Sequence, residues 1–172
     1  MDLKSFVRQV PDFPKPGINF FDISTLIGNA DAWRVTVERM GVLVSTWEPD
    51  YLAAIDARGF LVASPLAINT GCGMLMVRKR GKLPGLVRRT SYGLEYGSDE
   101  VEIQADAVKP GQRVVIVDDL LATGGTIMAA GKLLRDLGAT VVGAVCVIEL
   151  GFLDGRRKLD MPFEGLITYD SE

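Results

Sequence analysis

A dense β-branched run that ends in two adjacent acids and a glycine-rich turn constrains this chain more than any other feature: VVIVDDLLATGGT, Val114 to Thr126. Arg113–Val117 reads as a strand buried on both faces, because an unbroken apolar run is what a parallel strand covered by helices on both sides requires. Ile127, Ala130, Leu134 and Leu137 then recur at helical spacing up to Gly138, and Val141–Ile148 is a second dense apolar run. Strand, helix, strand in that order predicts an α/β domain built on an open, mainly parallel twisted sheet flanked by helices. Such sheets bind ligands at the carboxyl ends of their strands.

The strand is expected to end at Asp118 and Asp119, with a turn over Leu120–Gly125 before the helix. In Ala122-Thr123-Gly124-Gly125-Thr126 the small residues let backbone amides converge on one point, and the new helix adds its unpaired N–H groups and positive dipole end. Together these make a phosphate cradle. Thr123 and Thr126 add hydroxyl donors, and the paired aspartates suit two neighbouring hydroxyls, as on a ribose. The segment is neither a Walker loop, since no lysine follows the glycines, nor a GxGxxG turn. A plain turn, with Asp119 or Thr126 as a helix cap, accounts for one acid and one glycine but not for both acids followed by TGGT.

The remaining elements fit one domain over residues 1–172. Leu3, Phe6, Val7 and Val10 predict a helix stopped by Pro11, and PDFPKPGIN is a loop. A stripe of Trp33, Val37, Met40, Val44 and Trp47 predicts a helix from about Ala30 to Trp47. Tyr51–Ile55, Met74–Val77 and Val101–Gln104 read as strands, and Leu61–Ile68 as a helix. Lys82–Ser98 is polar and glycine-dotted, which suits a long mobile loop or an exposed hairpin.

Histidine is absent, which excludes Ser-His-Asp and Cys-His nucleophiles and His-ligated zinc. Net charge is -3, which disfavours general nucleic-acid binding. Positive charge is nonetheless localised: positions 78, 79, 80, 82, 88 and 89 are basic, with no acid among residues 78–89. That suits a polyanionic ligand carrying magnesium better than a long nucleic acid. The N-terminus lacks an export-type apolar core, no stretch approaches the ~20 apolar residues of a membrane span, and Cys72 and Cys146 are expected to stay unpaired. A cytoplasmic protein is the expectation.

The thirteen residues of VVIVDDLLATGGT resemble the phosphoribosyl-diphosphate signature of type I phosphoribosyltransferases. The resemblance implies that Asp118 and Asp119 hold the ribose hydroxyls, and that Ala122, Thr123, Gly124, Gly125 and Thr126 hold the 5-phosphate. Four further segments resemble the adenine-specific branch: PDFPKPGINFFDIS as a base-binding hood within residues 1–27, IDARGF as a diphosphate loop, and RKRGKLPG and SYGLEYG as the ends of a mobile catalytic loop over residues 78–98. By that resemblance Arg58, Arg78, Lys79 and Lys82 bind diphosphate, and Asn19, Phe20, Phe21 and Leu150 bind the base. Glu95, Tyr96 and Arg58 take catalytic roles, with Glu95 assisting proton movement. Mg²⁺ is held mainly by substrate and water, and Arg78 of one subunit reaches the neighbouring site of a homodimer. The implied reaction joins adenine to phosphoribosyl diphosphate, giving AMP and diphosphate. The family usually places arginine after the stacking aromatic, where this chain has Phe21, so a charged contact near the base is either missing or supplied elsewhere, for instance by Arg88 or Arg89. Three other readings stand beside this one: the same transfer to hypoxanthine, guanine, xanthine or orotate; a non-catalytic nucleotide sensor on the same fold; and a phosphatase-like α/β protein, which adjacent Asp118-Asp119 does not suit.

Overall fold

The structure is a computed structural model and describes residues 1–94 and 97–172. Two short strands, β1 (Arg8–Val10) and β2 (Phe20–Asp22), pair antiparallel outside the main sheet. A one-turn helix α1 (Ser24–Ile27) and the long helix α2 (Ala30–Ser45) follow. The main sheet then forms from β3 (Tyr51–Ile55), β4 (Gly73–Lys79), β5 (Val87–Leu94), β6 (Gly97–Gln104), β7 (Arg113–Leu121), β8 (Thr140–Leu150) and β9 (Phe163–Tyr169). Helix α3 (Arg58–Thr70) links β3 to β4, and α4 (Gly125–Asp136) links β7 to β8. The strand order is β5-β6-β4-β3-β7-β8-β9. The five strands from β4 to β9 in that order are mutually parallel, and the hairpin β5–β6 adds antiparallel to the edge of β4.

Strand alternation divides the interior into two cores. Leu52, Ala54, Val115, Val117, Val145 and Val147 face α2 and α3. Ala53, Ile55, Val114, Ile116, Ala144 and Cys146 face α4. Central strands buried on both faces are why these segments read as continuous apolar runs. Helix α2 starts where the Asn29 side chain accepts a hydrogen bond from the Ala32 N–H at 3.0 Å. Cys72 and Cys146 are both free. Among the described residues no helix is long and apolar enough to cross a membrane.

Four expectations are corrected. Leu3–Val10 is not a helix: Leu3–Phe6 is a 3-10 turn capped by Asp2, and Arg8–Val10 is extended. Its partner is β2, and Arg8 meets Asp22 there at 2.5 Å, a tertiary pairing that local periodicity does not reveal. Strand β7 does not end at the acids but runs on to Leu121, because β8 pairs with it as far as Glu149. Helix α2 stops at Ser45, short of Trp47. No element is predicted beyond Leu150, yet two 3-10 turns (Gly151–Leu153 and Gly155–Lys158) and β9 complete the sheet. Within Lys82–Ser98, Val87–Leu94 pairs antiparallel with the strand that starts at Gly97, as the hairpin alternative expects.

Candidate active site

The end of β7 places Asp118 and Asp119 beside the N-terminus of α3, and the turn beyond it carries the chain into α4. Gly124 stands immediately before α4 with φ of 89° and no side-chain cap, so the first N–H groups of that helix stay open. A side chain at Gly124 would be strained and would also meet the Gly155 carbonyl oxygen and Leu159 at 3.2 Å. Asp118, Ala122, Thr123, Gly124, Gly125 and Thr126 surround a pocket of about 90 Å³. A second pocket of about 170 Å³ shares Asp118 and Thr126 and adds Asp56, Ala57, Arg58, Lys79 and Asp119. The five predicted phosphate residues and both acids therefore line adjoining pockets, with two of the four predicted diphosphate residues.

Charges in the second pocket are already paired. Arg58 Nε donates to Asp119 Oδ2 at 2.5 Å, with Asp119 buried. Burial opposes the charge of Arg58, but the Asp119 carboxylate outweighs it and raises its pKa. The Asp118 carboxyl is pushed well up, first by burial and then by the charge of Asp119. Lys79 Nζ donates to Asp99 and, at 3.2 Å, to the Tyr92 hydroxyl. Burial opposes the Lys79 charge, and Asp99 and Tyr92 outweigh it. Tyr92 also accepts from Thr126 Oγ1 at 3.3 Å, so the hairpin reaches the first turn of α4. Sequence reasoning assigned no role to Asp99, which stands just before the predicted strand Val101–Gln104. Arg78 is held by Asp56 at 3.1 Å and lies over the Phe60 ring at 5.6 Å, within its own chain. Lys82 is exposed in the turn after β4.

On the base side, Phe20 stands edge-to-face with Phe13 (centroids 5.2 Å apart), and the Arg58 guanidinium lies 5.4 Å from its ring. The Asn19 amide donates to Gln9 at 3.0 Å. Leu150, buried at the end of β8, belongs to the same core as Phe21. Phe21 is a correction: it is 3 % exposed and packs on Tyr169 at 4.3 Å. Alternation in β2 turns Phe20 outward and Phe21 into the core, so the Phe21 side chain is not offered to a base. Arg89 is engaged elsewhere, since its Nε donates to the buried Glu102 at 2.7 Å. Arg88 is exposed on β5. Glu95 and Tyr96 lie outside the described residues.

The family model for the phosphoribosyl transferase domain matches residues 40–166. An adenine phosphoribosyltransferase from Gluconobacter oxydans (strain 621H) is 59 % identical over 170 residues, covering 99 % of this chain and 95 % of the relative. The chain belongs to the adenine phosphoribosyltransferase branch of the phosphoribosyltransferase family. Among solved phosphoribosyltransferases, the adenine enzyme of Thermoanaerobacter pseudethanolicus superposes with a TM-score of 0.95 at 48 % identity, covering 98 % of each chain. The Saccharomyces cerevisiae adenine phosphoribosyltransferase, solved with an iminoaltritol bisphosphate and adenine, gives a TM-score of 0.92 at 40 % identity over 96 % of each chain. The mainly parallel sheet described above is the phosphoribosyltransferase fold.

Proposed function

We propose that this phosphoribosyltransferase joins adenine to the 5-phosphoribosyl group of phosphoribosyl diphosphate, giving AMP and diphosphate. The observation that carries the reading is the pair of adjoining pockets with Asp118 and Thr126 in their common wall, one closed by the start of α4 and the other lined by Arg58 and Lys79. A sugar with a phosphate at each end fits that layout. The 5-phosphate takes the open amides and the Thr123 and Thr126 hydroxyls, and the ribose hydroxyls take Asp118 and Asp119. Diphosphate lies against Arg58 and Lys79, with Arg78 and Lys82 nearby on the same basic segment. Phe20 stacks on the base beside Asn19, and Leu150 closes the apolar side.

In the reaction, the bond from ribose C1 to the diphosphate oxygen breaks and both electrons leave with diphosphate. The base nitrogen adds to C1 and gives up its proton, which Glu95 is proposed to accept, beside Tyr96. Arg58 and Lys79 counter the charge that grows on the leaving group. No protein nucleophile is required, which agrees with a chain free of histidine. The β5–β6 hairpin shields the sugar from water, with Tyr92 as its contact to α4.

Asp118 and Asp119 offer carboxylate oxygens, the donors Mg²⁺ prefers, and among the described residues no group of three or more His, Cys, Asp or Glu forms a cage of its own. This donor set fits a cation that arrives with the diphosphate and keeps most of its shell as substrate oxygen and water. When bound it neutralises charge on the leaving group.

The proposal extends to a homodimer in the cytoplasm. Met74 and Met76 are exposed, and register places them on the sheet face that carries α3, whose Leu61 and Ile68 are exposed on one helical stripe. Arg78 stands beside this apolar surface, over Phe60 of α3, where it could serve the partner's site. A panel of adenine, hypoxanthine, guanine and orotate with phosphoribosyl diphosphate tests the function. AMP formation from adenine is expected to dominate, and preference for a 6-oxopurine would overturn the reading.

A further inference from the structure

Behind the phosphate turn lies a charged cluster that the reaction does not use. Glu149, the penultimate residue of β8, is only 6 % exposed. Both its oxygens accept from one guanidinium: Arg156 Nε at 2.8 Å and Nη2 at 2.6 Å. Arg156 Nη1 donates in addition to the Phe163 carbonyl at the start of β9, at 2.8 Å. The guanidinium thus ties three segments together: the end of β8, the 3-10 turn Gly155–Lys158 and β9. A buried carboxylate with no such fork would be strongly unfavourable, so the turn is held where Arg156 must stand.

The neighbour of Arg156 touches the phosphate turn. Gly155 is buried, and a side chain there would run into the Ala122 carbonyl and come within 3.1 Å of the Thr123 carbonyl carbon. On the other side, the Gly155 carbonyl and the Leu159 side chain sit against Gly124. The Ala122–Gly124 backbone is therefore clasped from behind by the turn that the Glu149–Arg156 fork fixes.

We infer that Arg156 and Glu149 are positioning residues for the 5-phosphate cradle, acting through Gly155 on the Ala122–Gly124 backbone. Neither touches the ligand; together they hold the amides at the spacing a phosphate group needs. The inference rests on the reading of the turn as the 5-phosphate site, and a shift of about 1 Å in such a cradle is enough for large losses.

The test measures ribose 5-phosphate and inorganic diphosphate binding by calorimetry, alongside thermal melts and KM values. Arg156→Ala is expected to weaken ribose 5-phosphate on the order of tenfold or more, and to raise KM for phosphoribosyl diphosphate in step. Diphosphate affinity should stay within about twofold. Arg156→Lys, which keeps the charge but not the fork, should recover only part of the loss. Gly155→Ala should reproduce the pattern with the ion pair intact. Should Arg156→Ala fail to fold, the lysine and Gly155→Ala variants carry the same comparison. Equal losses for both ligands, or undiminished ribose 5-phosphate binding in every folded variant, would overturn the inference. A wild-type protein that binds no ribose 5-phosphate would overturn the functional reading and this inference with it.

Discussion

Burial and the charge of Asp119 push the Asp118 carboxyl above its ordinary value of 3.8, so the folded protein retains a proton that the unfolded chain releases. With a folded pKa above the unfolded one, this group's stability contribution is complete below the ordinary value and is lost as pH rises through the folded value. Asp118→Asn removes that loss. The variant is expected to melt higher than wild type at pH 7, with the gap closing at pH below about 4. Turnover should fall roughly tenfold as a hydrogen bond from the Asp118 carboxyl to the ribose is altered. Thermal melts across pH and kcat/KM measure the two effects separately, and a variant that melts lower at pH 7 would refute the assignment. The adjacent aromatics give a second contrast. Phe20→Ala should raise KM for adenine through about 1–3 kcal/mol of lost stacking, with little change in stability. Phe21→Ala should instead cost about 3–5 kcal/mol of folding free energy, read by urea unfolding. Both aromatics were visible in FFD, but which one faces a ligand depends on the pairing of β2 with β1.

At the scale of elements, the hairpin is pinned by one carboxylate. Glu102 is buried, which opposes its charge, yet hydrogen bonds from Arg89 and from the Leu83 and Gly81 N–H groups hold its pKa at about 2, down from 4.5. A depressed pKa contributes stability above 4.5 that is lost as pH falls toward 2. Glu102→Gln should therefore loosen β5–β6 at neutral pH, seen as faster amide exchange there, and the difference from wild type should shrink over that acid range. The central strands and the two crossover helices were legible because burial on both faces, or on one helical stripe, leaves a periodic record. The N-terminal pair and β9 were not. Arg8–Val10 and Phe163–Tyr169 are extended because a distant strand accepts their hydrogen bonds, and nothing local encodes that partner. The acids and the TGGT turn were legible for a different reason: their chemistry has few purely structural uses. The Glu149–Arg156 fork left no comparable trace, since a glutamate and an arginine seven residues apart are ordinary until the fold brings them together.

Taken whole, the molecule puts its candidate ligand groups where three independent crossovers meet: the β3–α3 junction, the β7–α4 turn and the segment after β8. Ligand binding should therefore stabilise the entire fold and not a single lobe. At 100-fold excess over its Kd, AMP is expected to raise Tm by roughly 5–10 °C for a domain of this size. Adenosine, lacking the phosphate, should shift it much less. Light scattering should give twice the 18.7 kDa chain mass, and Ile68→Lys should reduce it toward one.

Asp118 and Thr126 line both cavities, so under the proposed function the two phosphate seats share a single partition. A ligand whose charged ends stand farther apart, or are joined by a stiffer link, fails to occupy both seats however strongly each end is attracted. On that reading the protein would gauge length as well as charge, with a wall common to two rooms.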